Sequence, residues 1–127
     1  MLFKRLEEIE VWKHGCRLAV DIYKFVESDP LAKNWGLRDQ IQRSAVSIPS
    51  NIAEGYERDS TAEFRRFVLI AKGSCGEVRS MYYAAEDLGY VTAEIALDRR
   101  ERAVRISKGI ASLTIRVRTS KTKKHRF

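Results

Sequence analysis

Few residues in this sequence have the types and spacing that catalysis or metal binding requires. The two histidines, His14 and His125, are far apart, and together with Cys16 and Cys75 they match no zinc-ligand spacing. His14 and Cys16 are two residues apart, so on a helix their side chains point in different directions. The glycine-containing stretches match neither a phosphate-binding loop nor a dinucleotide fingerprint. We therefore predict no catalytic residue, no metal site and no cofactor.

Two carboxylates, Glu54 and Asp59, fall near a predicted turn between helices. A metal-dependent nuclease would need such a pair to hold its ion. Charges at helix ends and in helix caps are the simpler explanation, so a small nuclease is kept only as a remote alternative.

Positive charge is concentrated at the C-terminal end of the chain. The 127 residues have a net charge of +7, yet residues 1–101 hold 15 Lys/Arg and 17 Asp/Glu, whereas residues 102–127 hold nine Lys/Arg and no acid. Such asymmetry favours a polyanionic partner, RNA or DNA first, and the alternative is a solubilising, disordered tail. The residues predicted to contact phosphates are Arg99, Arg102, Arg105, Arg116, Arg118, Lys121, Lys123, Lys124 and Arg126.

Length and composition indicate one ordered domain. A chain of 127 residues with 44% hydrophobic residues and two prolines can bury a core. No secretory leader and no apolar run of about 18 residues is visible, which predicts a cytoplasmic protein with no membrane contact.

Apolar residues recur at three- and four-residue steps in four segments, and no segment has the pattern of a strand. Helices are predicted over about residues 8–27, 37–54, 60–88 and 92–119. Short connections between helices of this length imply an antiparallel up-down-up-down four-helix bundle over residues 1–119, with a frayed basic tail at 120–127. The charged stretch "DRRERAVR" is predicted to be solvated. The predicted inward-facing residues are Ile9, Trp12, Cys16, Ala19, Ile22 or Tyr23, and Val26; Leu37, Ile41, Ala45, Ile48 and Ile52; Phe64, Phe67, Ala71, Cys75, Val78, Tyr82 and Ala85; and Ile106, Ile110, Leu113 and Val117.

Local signals mark the helix ends. Ser60 and Glu63 form a predicted capping box, and Gly55 and Gly89 are predicted stops. Cys16 and Cys75 lie in apolar patterns and are predicted to be reduced, buried thiols.

The stretch "SAVSIPSNIAEGYERDS" places Pro49 inside the second predicted helix. Apolar spacing continues through Ile52, which favours a kinked helix that continues over one that ends at the proline. Five polar residues follow one side of this helix, and a subunit interface is the favoured interpretation, ahead of local repair around Pro49 and of a ligand site. They are Arg43, Ser47, Ser50, Asn51 and Glu54.

The segments "VWKHGCRLAVDIY", "LRDQIQRSAVSIPSNIAEGYERDSTAEFRRFVLIAKGSCGEV" and "AAEDLGYV" resemble the bacterial four-helix-bundle family encoded in 23S rRNA intervening sequences. The resemblance covers about residues 11–91, and Gly15 and Gly76 depart from the family pattern. It implies a bundle that assembles into a homopentameric ring without enzymatic activity. The accessory variability determinant of diversity-generating retroelements is similar in architecture, and it partners a reverse transcriptase and nucleic acid.

Together these observations predict a non-enzymatic, homo-oligomeric bundle that binds nucleic acid with little sequence specificity, alongside an rRNA- or reverse-transcriptase-related partner. The alternative is a protein–protein interaction scaffold with no nucleic-acid role.

Overall fold

The computed structural model describes residues 2–26 and 30–119, and within these residues the chain is all-α. Four α-helices account for most of it, and two short 3₁₀ helices precede the first and second of them. The α-helices are α1 (Glu10–Val26), α2 (Trp35–Tyr56), α3 (Thr61–Asp87) and α4 (Ala93–Thr119), and the 3₁₀ helices are Leu6–Glu8 and Pro30–Lys33. This confirms the predicted fold class of a four-helix bundle. No helix in the described part of the chain is long and apolar enough to cross a membrane.

Each helix packs against its neighbours in sequence, and α4 returns to contact α1. Helices α2 and α3 are antiparallel where they meet: Ser44 forms a hydrogen bond with Glu77, and Ser47, further along α2, forms one with Ser74, which is earlier on α3. The complete up-down-up-down order and the division between bundle and tail stay predictions.

The core lies on the inner stripes of the four helices. Ile41, Ala45, Ile48 and Ile52 of α2 are fully buried, as their spacing predicts. Four fully buried residues of the α-helices were not in the predicted stripes: Leu18, Val68, Ala96 and Ala103. Tyr23, offered as an alternative to Ile22, is instead exposed. Packing against the neighbouring helices sets the rotation of each helix about its own axis. As a result, the buried face of a helix is broader than one residue per turn.

Helix α2 runs through Pro49 without interruption, and Ile48, Pro49 and Ile52 are all buried. The predicted continuation past the proline is therefore confirmed. Gly15 of α1 lies against this point, where an added Cβ would be 3.1 Å from Cγ2 of Ile48 and 3.4 Å from Cδ of Pro49. Glycine thus lets α1 approach α2 beside the proline ring.

The helix α2 differs from its predicted bounds at both ends. It begins at Trp35, because Asn34 caps it by accepting a hydrogen bond from the Leu37 N–H at 2.9 Å. It also continues past Gly55, so the predicted stop at Gly55 is wrong. A Cβ at Gly55 would lie 2.9 Å from Cβ of Phe67, which shows that this glycine permits close contact between α2 and α3.

The ends of α3 agree with the sequence signals. The Ser60 hydroxyl accepts a hydrogen bond from the Glu63 N–H at 3.0 Å, which confirms Ser60 as the N-cap. At the other end Gly89 has a φ of 76°, in the left-handed region that favours glycine. The Tyr90 N–H donates a hydrogen bond to the Ala85 carbonyl oxygen at 2.9 Å, which satisfies a carbonyl at the C-terminal end of α3.

Candidate nucleic-acid interface

Three of the four arginines in the first half of α4, namely Arg99, Arg100 and Arg102, pair with acids rather than being solvated. Arg99 falls on the inner stripe of α4 between Ala96 and Ala103, and its side chain is only 8% exposed. Its guanidinium pairs with Asp98 and lies 5.6 Å from the centroid of the Phe25 ring. Arg99 is therefore not part of the exposed cationic surface to which the sequence assigned it.

Arg102 is also engaged inside the bundle. Its Nη1 lies 2.8 Å from Oδ2 of Asp21 on α1 and 3.5 Å from Oδ2 of Asp98, and its side chain is 20% exposed. The pair with Asp21 links α4 to α1 and neutralises the charge of this arginine. The prediction that "DRRERAVR" is solvated is thus wrong for Arg99, Arg100 and Arg102.

Arg105 is exposed and lines two grooves, one on each side of α4. The groove between α3 and α4 has a volume of about 300 Å³ and also contains Arg79. The groove between α1 and α4 has a volume of about 410 Å³ and also contains Arg17. At this second groove the two helices approach closely, since a Cβ on Gly109 would be 2.5 Å from Cγ1 of Val11.

Arg17, Arg79 and Arg105 are here called the arginine band. In the described part of the chain, none of these three guanidinium groups forms an ion pair. Two acids share the grooves with them: Glu10, whose carboxylate is 3.2 Å from the Lys13 ammonium, and Glu101. The band therefore offers three positive charges that form no direct ion pair with these acids.

Sequence reasoning included Arg105 but missed Arg17 and Arg79, because both lie in the charge-balanced part of the chain. A signal for Arg79 was present, since no acid stands three or four residues from it. For Arg17 the signal was misleading. Asp21 stands four residues later, but in the fold its carboxylate pairs with Arg102.

The remaining predicted phosphate contacts are at or beyond the end of α4. Arg116 is exposed, and its guanidinium lies 5.6 Å from the centroid of the Phe3 ring. The others lie outside the described side chains, and their roles stay predictions: Arg118, Lys121, Lys123, Lys124 and Arg126.

The charged residues of the predicted interface on α2 pair with neighbours four residues away in the chain. Arg43 Nη2 lies 2.6 Å from Oδ2 of Asp39, and this hydrogen bond raises the pKa of Arg43. Arg58 Nη2 lies 3.0 Å from Oε2 of Glu54.

The uncharged members of the same face make contacts between and within helices. The hydroxyls of Ser47 and Ser74 are 2.8 Å apart and join α2 to α3. The Asn51 amide donates to the carbonyl and the hydroxyl of Ser47, both at 2.9 Å. Ser50 is exposed. The role of this face in assembly stays a prediction.

The two thiols are poor nucleophiles. Cys75 is buried, as predicted, and desolvation raises its pKa to about 12. Cys16 is only half-buried, contrary to the prediction, and burial raises its pKa as well. Because the thiolate is the reactive form, neither sulfur is activated near neutral pH. Among residues 2–26 and 30–119, no three His, Cys, Asp or Glu side chains converge as a metal site would require.

Comparison with known proteins places these features in a family context. The model of the 23S rRNA-intervening sequence protein family matches residues 7–112, which extends the similarity well into α4. A crystal structure of a protein of unknown function from the S23 ribosomal protein family of Bacteroides thetaiotaomicron superposes with a TM-score of 0.75. The two chains are 25% identical, and the match covers 82% of this chain and 97% of that one. No curated protein matches the chain.

Proposed function

Because the chain belongs to the family of 23S rRNA-intervening sequence proteins, we propose that it is a non-enzymatic, homo-oligomeric bundle that binds RNA or DNA through its basic surface. The arginine band is the observation that carries this proposal. Arg105 lies on α4, and Arg17 and Arg79 lie on α1 and α3, the two helices beside it. The three arginines line two grooves on either side of α4 and have no internal ion pair in the described residues.

Unpaired arginines suit phosphate binding for an energetic reason. A guanidinium that already pairs with a carboxylate, as Arg102 does with Asp21, must lose that partner before it can contact a phosphate. The band arginines have no such partner to lose, and their contacts with phosphates release counterions condensed on the nucleic acid, which is favourable in entropy. Phosphate contacts carry no sequence information, so the protein binds with little base specificity.

Assembly increases the effect of each contact. In the homopentamer that we propose, the band and the basic C-terminal segment are each repeated five times around the ring. Contacts made by linked subunits add through effective concentration, so weak individual contacts give useful affinity. The proposed subunit boundary includes the outer face of α2, with Arg43, Ser50 and Glu54 exposed on it.

A protein partner that acts on the same nucleic acid, such as an rRNA- or reverse-transcriptase-related protein, is part of the proposal. The outer face of α3 supports protein contacts, because Leu69 and Ile70 are exposed beside Gly73, around which no atom lies within 4 Å of an added Cβ. The same exposed apolar residues favour the alternative function, a protein-binding scaffold with no nucleic-acid role.

The proposal is tested by comparing two variants that lose the same charge. Arg105→Gln removes a band arginine, whereas Arg66→Gln removes an exposed arginine that pairs with Glu63 at 3.0 Å and lines neither groove. Binding to a labelled RNA duplex is measured by fluorescence anisotropy over a range of salt concentrations. We expect Arg105→Gln to weaken binding and to make the log–log salt slope shallower by about 0.9 for each lost contact. Equal behaviour of the two variants contradicts a role for the band.

A further inference from the structure

Tyr83 is an exposed aromatic residue that the bundle holds in a fixed position. Its side chain on α3 is 55% exposed, and the guanidinium carbon of Arg100 lies 4.1 Å from the centroid of its ring. Arg100 is itself anchored, because its Nη1 lies 2.9 Å from Oε1 of Glu86. One face of the tyrosine ring is thus covered by a cation that an ion pair keeps in place.

The groove beside Tyr83 combines positive charge with an apolar lining. Arg79, one turn earlier on α3, and Arg105 on α4 are the two cations without internal partners in this groove. Leu97 and Val104 of α4 add apolar surface, and Glu101 is the one acid among the described residues that line this groove. An aromatic ring and two cations without ion pairs in one groove suit an anionic ligand with a flat, apolar part.

We infer that this groove binds an unpaired nucleotide of a single strand, with its base stacked on Tyr83 and its flanking phosphates on Arg79 and Arg105. This inference rests on the proposed function and adds to it a preference for single-stranded regions. A base in a duplex already has both faces stacked, so it cannot cover an exposed ring, whereas an unpaired base can. The unneutralised arginines favour this occupant over a second copy of the chain, which would have to bury their charge.

The test measures anisotropy of labelled oligouridylate and oligothymidylate of about 12 nucleotides, beside a duplex of equal length. We expect Tyr83→Ala to weaken single-strand binding at least about fivefold, since stacking on one aromatic ring contributes that much or more, and to leave duplex binding within about twofold. Tyr83→Phe keeps the ring and should bind as the wild type does. Loss on the RNA strand, the DNA strand or both supports the inference and identifies which strand is bound.

The matched control is Tyr23→Ala on α1, which removes a tyrosine that is 43% exposed and lines neither groove. It should leave single-strand binding unchanged. A second measurement needs no variant: an oligonucleotide carrying 2-aminopurine should lose fluorescence when the wild-type protein stacks on the base. Circular dichroism confirms that each variant keeps its helices.

Three results overturn the inference and leave the proposed function standing: single-strand binding that Tyr83→Ala does not change, an equal loss on the duplex, or 2-aminopurine fluorescence that binding does not alter. A fall in assembly mass for Tyr83→Ala, seen by light scattering, also overturns it, because a second copy then covers the ring. Wild-type protein that binds neither strand nor duplex rejects the proposed function, and the inference with it.

Discussion

Two glycines in the bundle should respond in opposite directions to the same substitution. At Gly55 an added Cβ would lie 2.9 Å from Cβ of Phe67 and 3.1 Å from the carbonyl oxygen of Phe64, and neither atom can move without shifting backbone. Overpacking of this kind costs about 1–3 kcal/mol, and the better helix propensity of alanine offsets about 0.5–1 kcal/mol of it. We therefore expect Gly55→Ala to lower the free energy of unfolding by up to about 2.5 kcal/mol.

Gly76 is the matched control, since it also lies inside a helix but has no atom within 4 Å of an added Cβ. Gly76→Ala should raise the free energy of unfolding by about 0.5–1 kcal/mol through helix propensity alone. Both are measured by urea denaturation followed by circular dichroism, at one protein concentration because assembly adds to apparent stability. If Gly55→Ala is as stable as Gly76→Ala, the close contact between α2 and α3 that underlies this reasoning does not exist.

Three further outcomes follow from the described contacts. Ile52→Ala should lower the free energy of unfolding by about 2–5 kcal/mol, because Ile52 is fully buried; a cost below about 0.5 kcal/mol in urea titration would place it on the surface. Asp21→Asn removes the nearer of the two carboxylates that pair with Arg102 and leaves only Asp98 at 3.5 Å, so it should tighten duplex binding in anisotropy titrations. Asp39→Asn makes the same charge change on α2 and should tighten binding less; equal effects would argue against the groove beside α1. The pKa of Cys75 is raised in the folded protein, so the thiol ionises in the unfolded chain at a lower pH than in the folded one. The free energy of unfolding should therefore fall by about 1.4 kcal/mol per pH unit above about pH 9, until the folded thiol ionises near pH 12. A Cys75→Ala variant should lack this part of the loss of stability at alkaline pH.

The features that could be predicted from the sequence are those decided within one helical turn. Ser60 caps α3 through a bond three residues away, and Gly89 ends it through the conformation of its own backbone. The passage of α2 through Pro49 was predictable because the apolar spacing on either side of the proline stays in register. Each of these features can be predicted without knowing how the neighbouring helices pack.

The features that were missed depend on how the helices face one another. Arg99 stands in a run of charges that is typical of a solvated face, yet the steps from Ala96 to Arg99 and from Arg99 to Ala103 keep it on the inner stripe. The small alanines on both sides leave room for the long side chain of Arg99. This spacing was the signal in the sequence that could have indicated its burial. Gly55 looks like a helix stop in the sequence, and only the approach of α3 reveals that it is a contact point.

The central claim is that unpaired arginines around α4 bind nucleic-acid phosphates, and the salt dependence of wild-type affinity for duplex RNA or DNA tests it most directly. If Arg17, Arg79 and Arg105 each contact a phosphate, the slope of log affinity against log salt on B-DNA should be about −2.7 per bound subunit, or steeper where the C-terminal residues also contribute. A steep slope that becomes shallower when all three are changed to glutamine is the predicted result. Affinity that does not change with salt, or no binding at all, would contradict the account and favour the protein-binding scaffold.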